Sequence, residues 1–539
     1  MDTSKLPKTG FEGLKAHFKS DLSSGFSVSL IALPLCLGIA IASGVPPLAG
    51  LITAIVGGLI GSRISGSYVT ISGPAAGLIV VILGAAEGLG GAGAESDFAG
   101  YPHTLGAVLI AGAIMALFGL LKVGKVGDFF PSAAVHGMLA AIGVIIMIKQ
   151  FFPAIGVQPG KASILSTAAQ IPGALLHTNS YSAIIAIATI LILIVHPKIN
   201  WTPVKVVPAP MWVMIVTIGL AMNFGSDKLA LVEMPKDLFG SNGFTLPSFS
   251  KIGEGAFWSA VIAIALVAAI ESLLSAKAVD ALDPYQRKSN LDKDLLAMGT
   301  SSSIAAIIGG LPMISEIVRS SANINNGGKT QWANFFHGAF LLVFLLLFTP
   351  IIELIPISAL AAMLVFTGFR LASPKEFLSM WQIGKIEFAV FTCTLLTVLA
   401  TDLIVGIAAG IVVNYLLLLV SGARIGNTFK VKAFENVGEK ANEIHLSGDL
   451  LFTNFLSLKK HMDSALTTAQ NLVLEFSEVT FIDHTTMTHL ENLRSNSLNR
   501  GVVITFVALE GLEKASSHVL SQRLKVSHQK LPKNDTDAE

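Results

Sequence analysis

The sequence is poor in what catalysis, redox chemistry and nucleic-acid binding require. Its 539 residues include two cysteines, Cys36 and Cys393, both in apolar stretches, which excludes a disulfide framework and a metal cluster of cysteine spacing. Charge is scarce: Asp, Glu, Lys and Arg make up 13% of the chain, against about a quarter in soluble domains. The net charge of +1 and the lack of a basic run with interleaved aromatics exclude a strongly basic nucleic-acid binder. There is no HExxH, GxSxG, Walker loop or paired catalytic carboxylate, so no enzymatic chemistry is indicated and no cofactor is expected. The polar stretch from Met1 to Asp21, with Lys5, Lys8, Lys15 and Lys19, lacks the apolar core of a cleaved signal and reads as a retained cytoplasmic leader.

What the chain does have is apolar length. Hydrophobic residues make up 52%, mean hydropathy is +0.69, and charge is unevenly spread. Of 71 charged residues, 26 follow Gly426, in the last 113 positions. A long membrane-embedded part followed by a short soluble one is the reading. At roughly 28 residues per span and loop, the long part accommodates about 14 helices. The expected organisation is a segment at 1–21, a transmembrane domain at 22–422, a linker at 423–442, a small domain at 443–530 and a polar tail at 531–539.

Orientation follows from basic loops. With a cytoplasmic N-terminus, the expected inner loops carry Arg63; Lys122 and Lys125; Lys198 and Lys205; Arg287, Lys288 and Lys293; Lys329; and Arg370, Lys375 and Lys385. The expected outer loop at 86–103 carries Glu87, Glu95 and Asp97 and no Lys or Arg. An even number of spans returns the C-terminus to the cytoplasm, and a multi-pass protein of the plasma membrane is expected.

Two segments share an unusual grammar of short extended stretch, glycine, proline and then small and apolar residues. One contains Ile71-Ser72-Gly73-Pro74-Ala75-Ala76, the other Gly310-Leu311-Pro312-Met313-Ile314-Ser315. Proline suits the first turn of a helix. Helices that start inside a membrane present N–H groups that lipid cannot satisfy and an anion can. Paired breaks at the third and tenth apolar blocks point to two inverted seven-span repeats with a site near the midplane. The expected anion ligands are the backbone N–H groups of Ala75, Ala76, Met313 and Ile314.

Ionisable residues at membrane depth are functional candidates, because each costs about 2.5 to 3.5 kcal/mol on insertion scales. Glu271 follows fourteen apolar or small residues, and Ser275 shares its helix face one turn on. Together they are positioned to hold Na⁺ or relay a proton. No other metal site is indicated. Lys277, Glu316 and Arg319 are expected to form a charge network beside the anion site. His136 and Lys149 are expected at the interface, and Asp402 at an outer helix end. The tail reads as strands at 444–446 and 450–452, a helix at 455–465, a strand at 471–476, a loop with Asp483, a helix at 485–499 and a strand at 502–507, a small α/β domain.

Several segments carry a resemblance: Ala32-Leu33-Pro34, Ile41 to Pro47, Ile71-Ser72-Gly73-Pro74, His136-Gly137-Met138, Val207-Pro208-Ala209-Pro210, Glu271 to Ser275, and Gly309 to Arg319. In this order they resemble the sulfate permease family, equivalent to the solute carrier 26 family, over nearly the whole chain. The resemblance implies an α-helical core-and-gate membrane fold, usually dimeric, that moves anions by an elevator-like motion. It implies a substrate site between Pro74 and Pro312, completed by the first span near Pro34 to Cys36 and by the Glu271 helix, with coupling to Na⁺ or H⁺ at Glu271. The tail resembles a STAS domain, whose relatives carry a phosphorylatable serine in an Asp-Ser-Ser-Gly turn. This chain reads Asp483-His484-Thr485-Thr486, and Thr485 matches the acceptor as a candidate regulatory phosphosite.

The expected function is secondary active transport of a small inorganic oxyanion, with sulfate and bicarbonate both open. Two alternatives are a nucleobase:cation symporter of the same architecture and a membrane anion sensor that signals through the tail.

Overall fold

The computed structural model describes residues 6–90, 98–158, 163–201, 204, 207–236, 244–437, 442–468, 471–498 and 502–525. Glu95, Asp97, Lys205 and the tail at 531–539 lie outside them. Helices of the first half are α1 (Gly10–Ala42), α2 (Pro47–Val56), α3 (Ile79–Gly90), α4 (Tyr101–Leu120), α5 (Ser132–Ala154), α6 (Ser180–Val195) and α7 (Ala209–Phe224). Those of the second are α8 (Gly255–Leu282), α9 (Leu291–Ile307), α10 (Ile317–Asn325), α11 (Trp332–Leu347), α12 (Ile357–Leu371), α13 (Lys385–Ala400) and α14 (Leu403–Val420). Among the described residues, eight helical stretches are long and apolar enough to cross a membrane. Two shorter helices, α3 and α10, follow the Gly-Pro breaks.

The halves correspond element by element, and their packing partners are exchanged. Helix α1 packs on α11 as α8 packs on α4, α2 on α11 as α9 on α4, and α5 on α13 as α12 on α6. That exchange is the packing of two interlocked inverted repeats. Small residues permit the closest approaches: Gly58 meets Gly338 between the α2 segment and α11, and Gly143 meets Gly368 between α5 and α12. A side chain at either glycine would push the helices apart. Helices α1–α4 and α8–α11 thus form one body, the core, and α5–α7 and α12–α14 a second, the gate.

Strand β1 (Ile71–Gly73) precedes α3, and β2 (Ile314–Glu316) precedes α10. They pair antiparallel, with Ile71 opposite Glu316, Ser72 opposite Ser315 and Gly73 opposite Ile314. Extended backbone inside a membrane is tolerated only where its polar groups are satisfied within the protein. Neighbouring helices complete that pairing: Ile71 N donates to Ser320 Oγ at 2.8 Å, Asn323 Nδ2 to Val69 O at 2.8 Å, and Leu311 N to Thr53 Oγ1 at 2.6 Å.

The C-terminal domain comprises β3 (Lys432–Val437), β4 (Asn442–Leu450), α15 (Phe455–Thr468), β5 (Asn471–Ile482), α16 (His484–Leu498), β6 (Val503–Val507), β7 (Glu513–Lys514) and β8 (Arg523–Leu524). The sheet runs β3-β4-β5-β8-β7, with β6 also on β5. Two expectations change. The strands expected at 444–446 and 450–452 begin in one strand that ends at Leu450, bent by register shifts around Ser447 and Gly448. The stretch expected as linker contains β3, which pairs along β4. Its outward residues Lys432, Phe434, Glu435 and Asn436 are exposed, and among the described residues of β3 Ala433 alone packs on the core, so the sequence showed little alternation. The apolar core here includes Ile444, Leu458, Leu474 and Met487.

Candidate functional site

The β1–β2 pair brings the two breaks together, and residues remote in sequence converge on it. From the second half, Arg319 on α10 reaches across to the first and donates from Nη2 to Pro74 O at 3.1 Å, a contact spanning 245 residues. Gly73 makes room for it, because a Cβ there would collide with Arg319 Nη1. Arg319 is 1% exposed, yet its Nε and Nη1 have no hydrogen-bond partner among the described residues. An unpaired buried cationic donor costs more than a neutral one, at least the roughly 1 to 3 kcal/mol of an unsatisfied polar group. An acceptor is therefore wanted where those nitrogens point.

Helix α3 supplies more donors. A 3₁₀ turn at Ala76–Leu78 leads into it, and Leu78 N makes the first bond, to Ala75 O at 3.2 Å. The N–H groups of Ala75, Ala76 and Gly77 precede that bond, at the positive end of the helix dipole. Glu271 lies against the same turn, since a Cβ on Gly77 would collide with its carboxylate. Its Oε2 is buried and has no hydrogen-bond partner among the described residues. Ser275 is half-buried one turn further along α8. Within α1, Pro34 and Cys36 are buried, and the Cys36 thiol lies beside the Arg319 guanidinium.

The second break departs from expectation. Helix α10 starts at Ile317, five residues after Pro312, because β2 intervenes. Its N-cap is Glu316, whose Oε2 accepts from Arg319 N at 2.8 Å. Met313 N is also committed, to Ser302 Oγ at 3.0 Å, and Ile314 sits opposite Gly73 in the strand pair. Of the two N–H groups assigned to the anion from the sequence, that of Met313 is thus taken into the fold of the break itself, and Ile314 lies in the strand pair. Two members of the expected Lys277, Glu316 and Arg319 network, Glu316 and Arg319, meet through the backbone. Glu316 bonds the backbone of Arg319 while the guanidinium turns to Pro74, and Lys277 is half-buried on α8.

Sequence reasoning missed the residues that hold this geometry. Asp294 accepts from Ser65 Oγ and from Ser315 Oγ, each at 2.7 Å. Asn334 Nδ2 donates to Ser72 Oγ at 2.9 Å. Their only signal was a polar residue beside or inside an apolar block, which does not say what it faces. Asp402 does sit at a helix end, capping α14 through Ile404 N at 2.8 Å and Val405 N at 3.0 Å.

Thr485 lies far from the breaks, where the C-terminal domain meets the gate. It is 4% exposed, and its Oγ1 accepts from Ser132 N, the first residue of α5, at 3.1 Å. Pro131 precedes that helix without a side-chain cap, so Thr485 supplies one from the other domain. Phe129 and Phe452 pack edge to face at 5.9 Å beside it, and Ser516 Oγ donates to Ile383 O at 2.8 Å.

The comparisons with known proteins agree with this architecture. The model of the sulfate permease family matches residues 18–394, and that of the STAS domain residues 436–513. The chain is similar to a putative sulfate transporter, YvdB, of Bacillus subtilis (strain 168), at 26% identity over 93% of each chain. It is similar to the bicarbonate transporter BicA of Picosynechococcus sp., at 25% identity over 92% of this chain and 90% of that one. Among solved structures, the transmembrane domain of a cyanobacterial bicarbonate transporter BicA superposes with a TM-score of 0.63 at 23% identity, covering 73% of this chain and 97% of that one. The murine solute carrier 26 family member A9 anion transporter, in an inward-facing state, superposes with a TM-score of 0.64 at 17% identity, covering 94% and 87%. At these identities the structural likeness is one of fold.

Proposed function

The chain belongs to the sulfate permease family, and on that premise we propose that it is a secondary active transporter of a small inorganic oxyanion, sulfate or bicarbonate. The observation that carries the reading is Arg319: a buried guanidinium with two unpartnered nitrogens next to the open N–H groups of Ala75, Ala76 and Gly77. A tetrahedral or planar oxyanion presents several acceptor oxygens at once and satisfies both donor sets. The printed names of the similar curated proteins, a putative sulfate transporter and a bicarbonate transporter, support the same substrate class.

Glu271 is the coupling group in this reading. Its unpartnered carboxylate oxygen beside the anion site is a place for Na⁺ or H⁺, with the Ser275 hydroxyl as a second oxygen for Na⁺. Cation and anion then neutralise each other in one pocket, and the loaded core crosses the membrane as a unit against the gate. The basic loops of the sequence support a plasma-membrane orientation with both termini cytoplasmic, and the reading includes a homodimer. For Thr485, burial against α5 means that phosphorylation as a regulatory event requires the C-terminal domain to leave the gate first.

Uptake of radiolabelled sulfate and bicarbonate into proteoliposomes, with imposed Na⁺ or H⁺ gradients, tests the reading. One of the two is expected to accumulate only with its driving gradient, and Glu271→Gln is expected to abolish that accumulation. Retained coupling in Glu271→Gln removes the role given to Glu271. Uptake of uracil without either anion decides for a nucleobase symporter, and anion binding without flux decides for a sensor.

A further inference from the structure

At the end of the transmembrane unit opposite the C-terminal domain, a cavity of about 480 Å³ opens between the two bodies. Its core wall includes Val81 and Glu87 of α3 and Ala263 of α8, and its gate wall Lys149 of α5 and Asp402 at the start of α14. Val81 lies one turn beyond the 3₁₀ turn that opens α3. Ala263 lies eight residues before Glu271 on α8, about 12 Å of helix. The cavity therefore sits directly distal to the anion site, on the face that the basic-loop bias makes external.

Its charges are not equivalent. Asp402 is committed as the N-cap of α14, where both the bonds to Ile404 N and Val405 N and the helix dipole offset its charge. Lys149 and Glu87 face each other across the cleft at 3.4 Å. The Lys149 side chain is 19% exposed and that of Glu87 61% exposed, so the ammonium is held in the cleft while the carboxylate reaches it from the open side. A pair this exposed is worth about 0 to 1 kcal/mol, weak enough for exchange. A carboxylate is also a fair copy of an oxyanion, with two oxygens on one planar carbon.

We propose that Lys149 is a recruitment site for the incoming inorganic oxyanion, and that the Glu87 carboxylate is a built-in competitor that the anion displaces on entry. This rests on the reading of the chain as an oxyanion transporter. The ammonium is the cationic contact that an entering anion meets at the mouth of the path to Arg319, once it displaces the carboxylate. Glu87 occupies it in between, so the vestibule never holds an uncompensated cation. A mere tether between core and gate predicts something else, because either neutral substitution breaks a tether in the same way.

The sign of two substitutions therefore decides. In proteoliposomes at constant ionic strength, Glu87→Gln is expected to lower KM for the external anion about threefold, and Lys149→Gln to raise it about fivefold. The double variant is expected to follow Lys149→Gln. Changes of the same sign in the two single variants, or no change in either, overturn the proposal while leaving oxyanion transport intact. A second measurement does not depend on flux. Acylation of Lys149 by a membrane-impermeant amine reagent, read by peptide mass spectrometry, is expected to slow with added sulfate or bicarbonate, and at lower anion concentration in Glu87→Gln. Unprotected Lys149 overturns the proposal; protected Lys149 in a protein that moves neither anion upholds the site and overturns the transport reading.

Discussion

The two breaks occupy matching places in matching halves, yet one is open and the other is filled. Before α3, Gly73 ahead of the turn and Gly77 within it let Arg319 and Glu271 come in close from other helices, and the first N–H groups precede the first bond of the helix. Before α10, Glu316 caps the helix, Ser302 takes the Met313 N–H and Thr53 takes that of Leu311. The repeat thus supplies the shape twice, while side chains give the two copies opposite tasks. One faces a buried arginine and a buried carboxylate, and the other supplies that arginine.

The sharpest way to break this comparison is to remove the arginine. Arg319→Gln is expected to lower oxyanion uptake roughly a hundredfold, the scale of about 3 kcal/mol for one buried charged partner, with Arg319→Lys recovering part of it. Initial uptake rates within threefold of the unsubstituted protein would place the anion elsewhere.

The distinction between a satisfied and an unsatisfied carboxylate can be tested outside the membrane on Asp483, which caps α16 through Thr486 N and also accepts from Phe452 N, each at 2.6 Å. Burial pushes its carboxyl up to about 6, against those hydrogen bonds. Burial pushes the neighbouring His484 imidazole down to about 4. The carboxyl contributes stability below about pH 4 and loses it as pH rises through 6; the imidazole contributes above about pH 6.5 and loses it as pH falls through 4. Between pH 4 and 6 the two slopes oppose. Asp483→Asn is expected to uncover the imidazole alone, costing the C-terminal domain about 2.5 kcal/mol between pH 6.5 and 4. Hydrogen exchange of β5 amides in the full chain reads this, and an unchanged pH dependence refutes the opposition.

At the open break, Gly77→Ala forces the Glu271 carboxylate off the α3 turn. Gradient-driven uptake is expected to fall about tenfold, roughly 1.4 kcal/mol, with anion binding in the absence of a gradient less affected. Isothermal binding measured beside flux separates the two, and equal losses in both would mean that Gly77 serves only packing.

The smallest effect belongs to the filled break. Glu316→Gln keeps an oxygen for the Arg319 N–H and removes the charge from a helix start, at a cost of about 0.5 to 1 kcal/mol. Thermal unfolding in detergent is expected to fall by a few degrees while uptake stays within a few-fold of normal. A loss as large as that of Arg319→Gln would make the second break a binding element after all.

Much of this was legible in the chain. The drop in charge density before Gly426, the two Gly-Pro breaks and the lone Glu271 are local features, readable because a bilayer penalises each polar residue separately. The family motifs were legible for the same reason. What a residue at membrane depth faces was not. Glu316 and Arg319, three apart, suggested an ion pair, whereas the helix start between them turned one into a cap and sent the other to Pro74. Pro312 suggested a helix start, and the strand pairing of Ile314 with Gly73 delayed it to Ile317. Asp294 and Asn334 gave no sign that they would hold Ser315 and Ser72. Thr485 matched a phosphosite by its motif and proved to be the cap of a helix in another domain.

The sequence by itself determined the membrane-spanning class, the number of breaks, the division into two parts and the types of residue available for an anion and a cation. Those follow from composition and local spacing, which set the cost of burial residue by residue. Only the tertiary structure decided which N–H groups stay open, which carboxylate is left unpaired and which lysine faces which acid across the distal cleft. These are matters of contact between segments tens to hundreds of residues apart, fixed by how two interlocked repeats pack and by where glycine lets a charged side chain through.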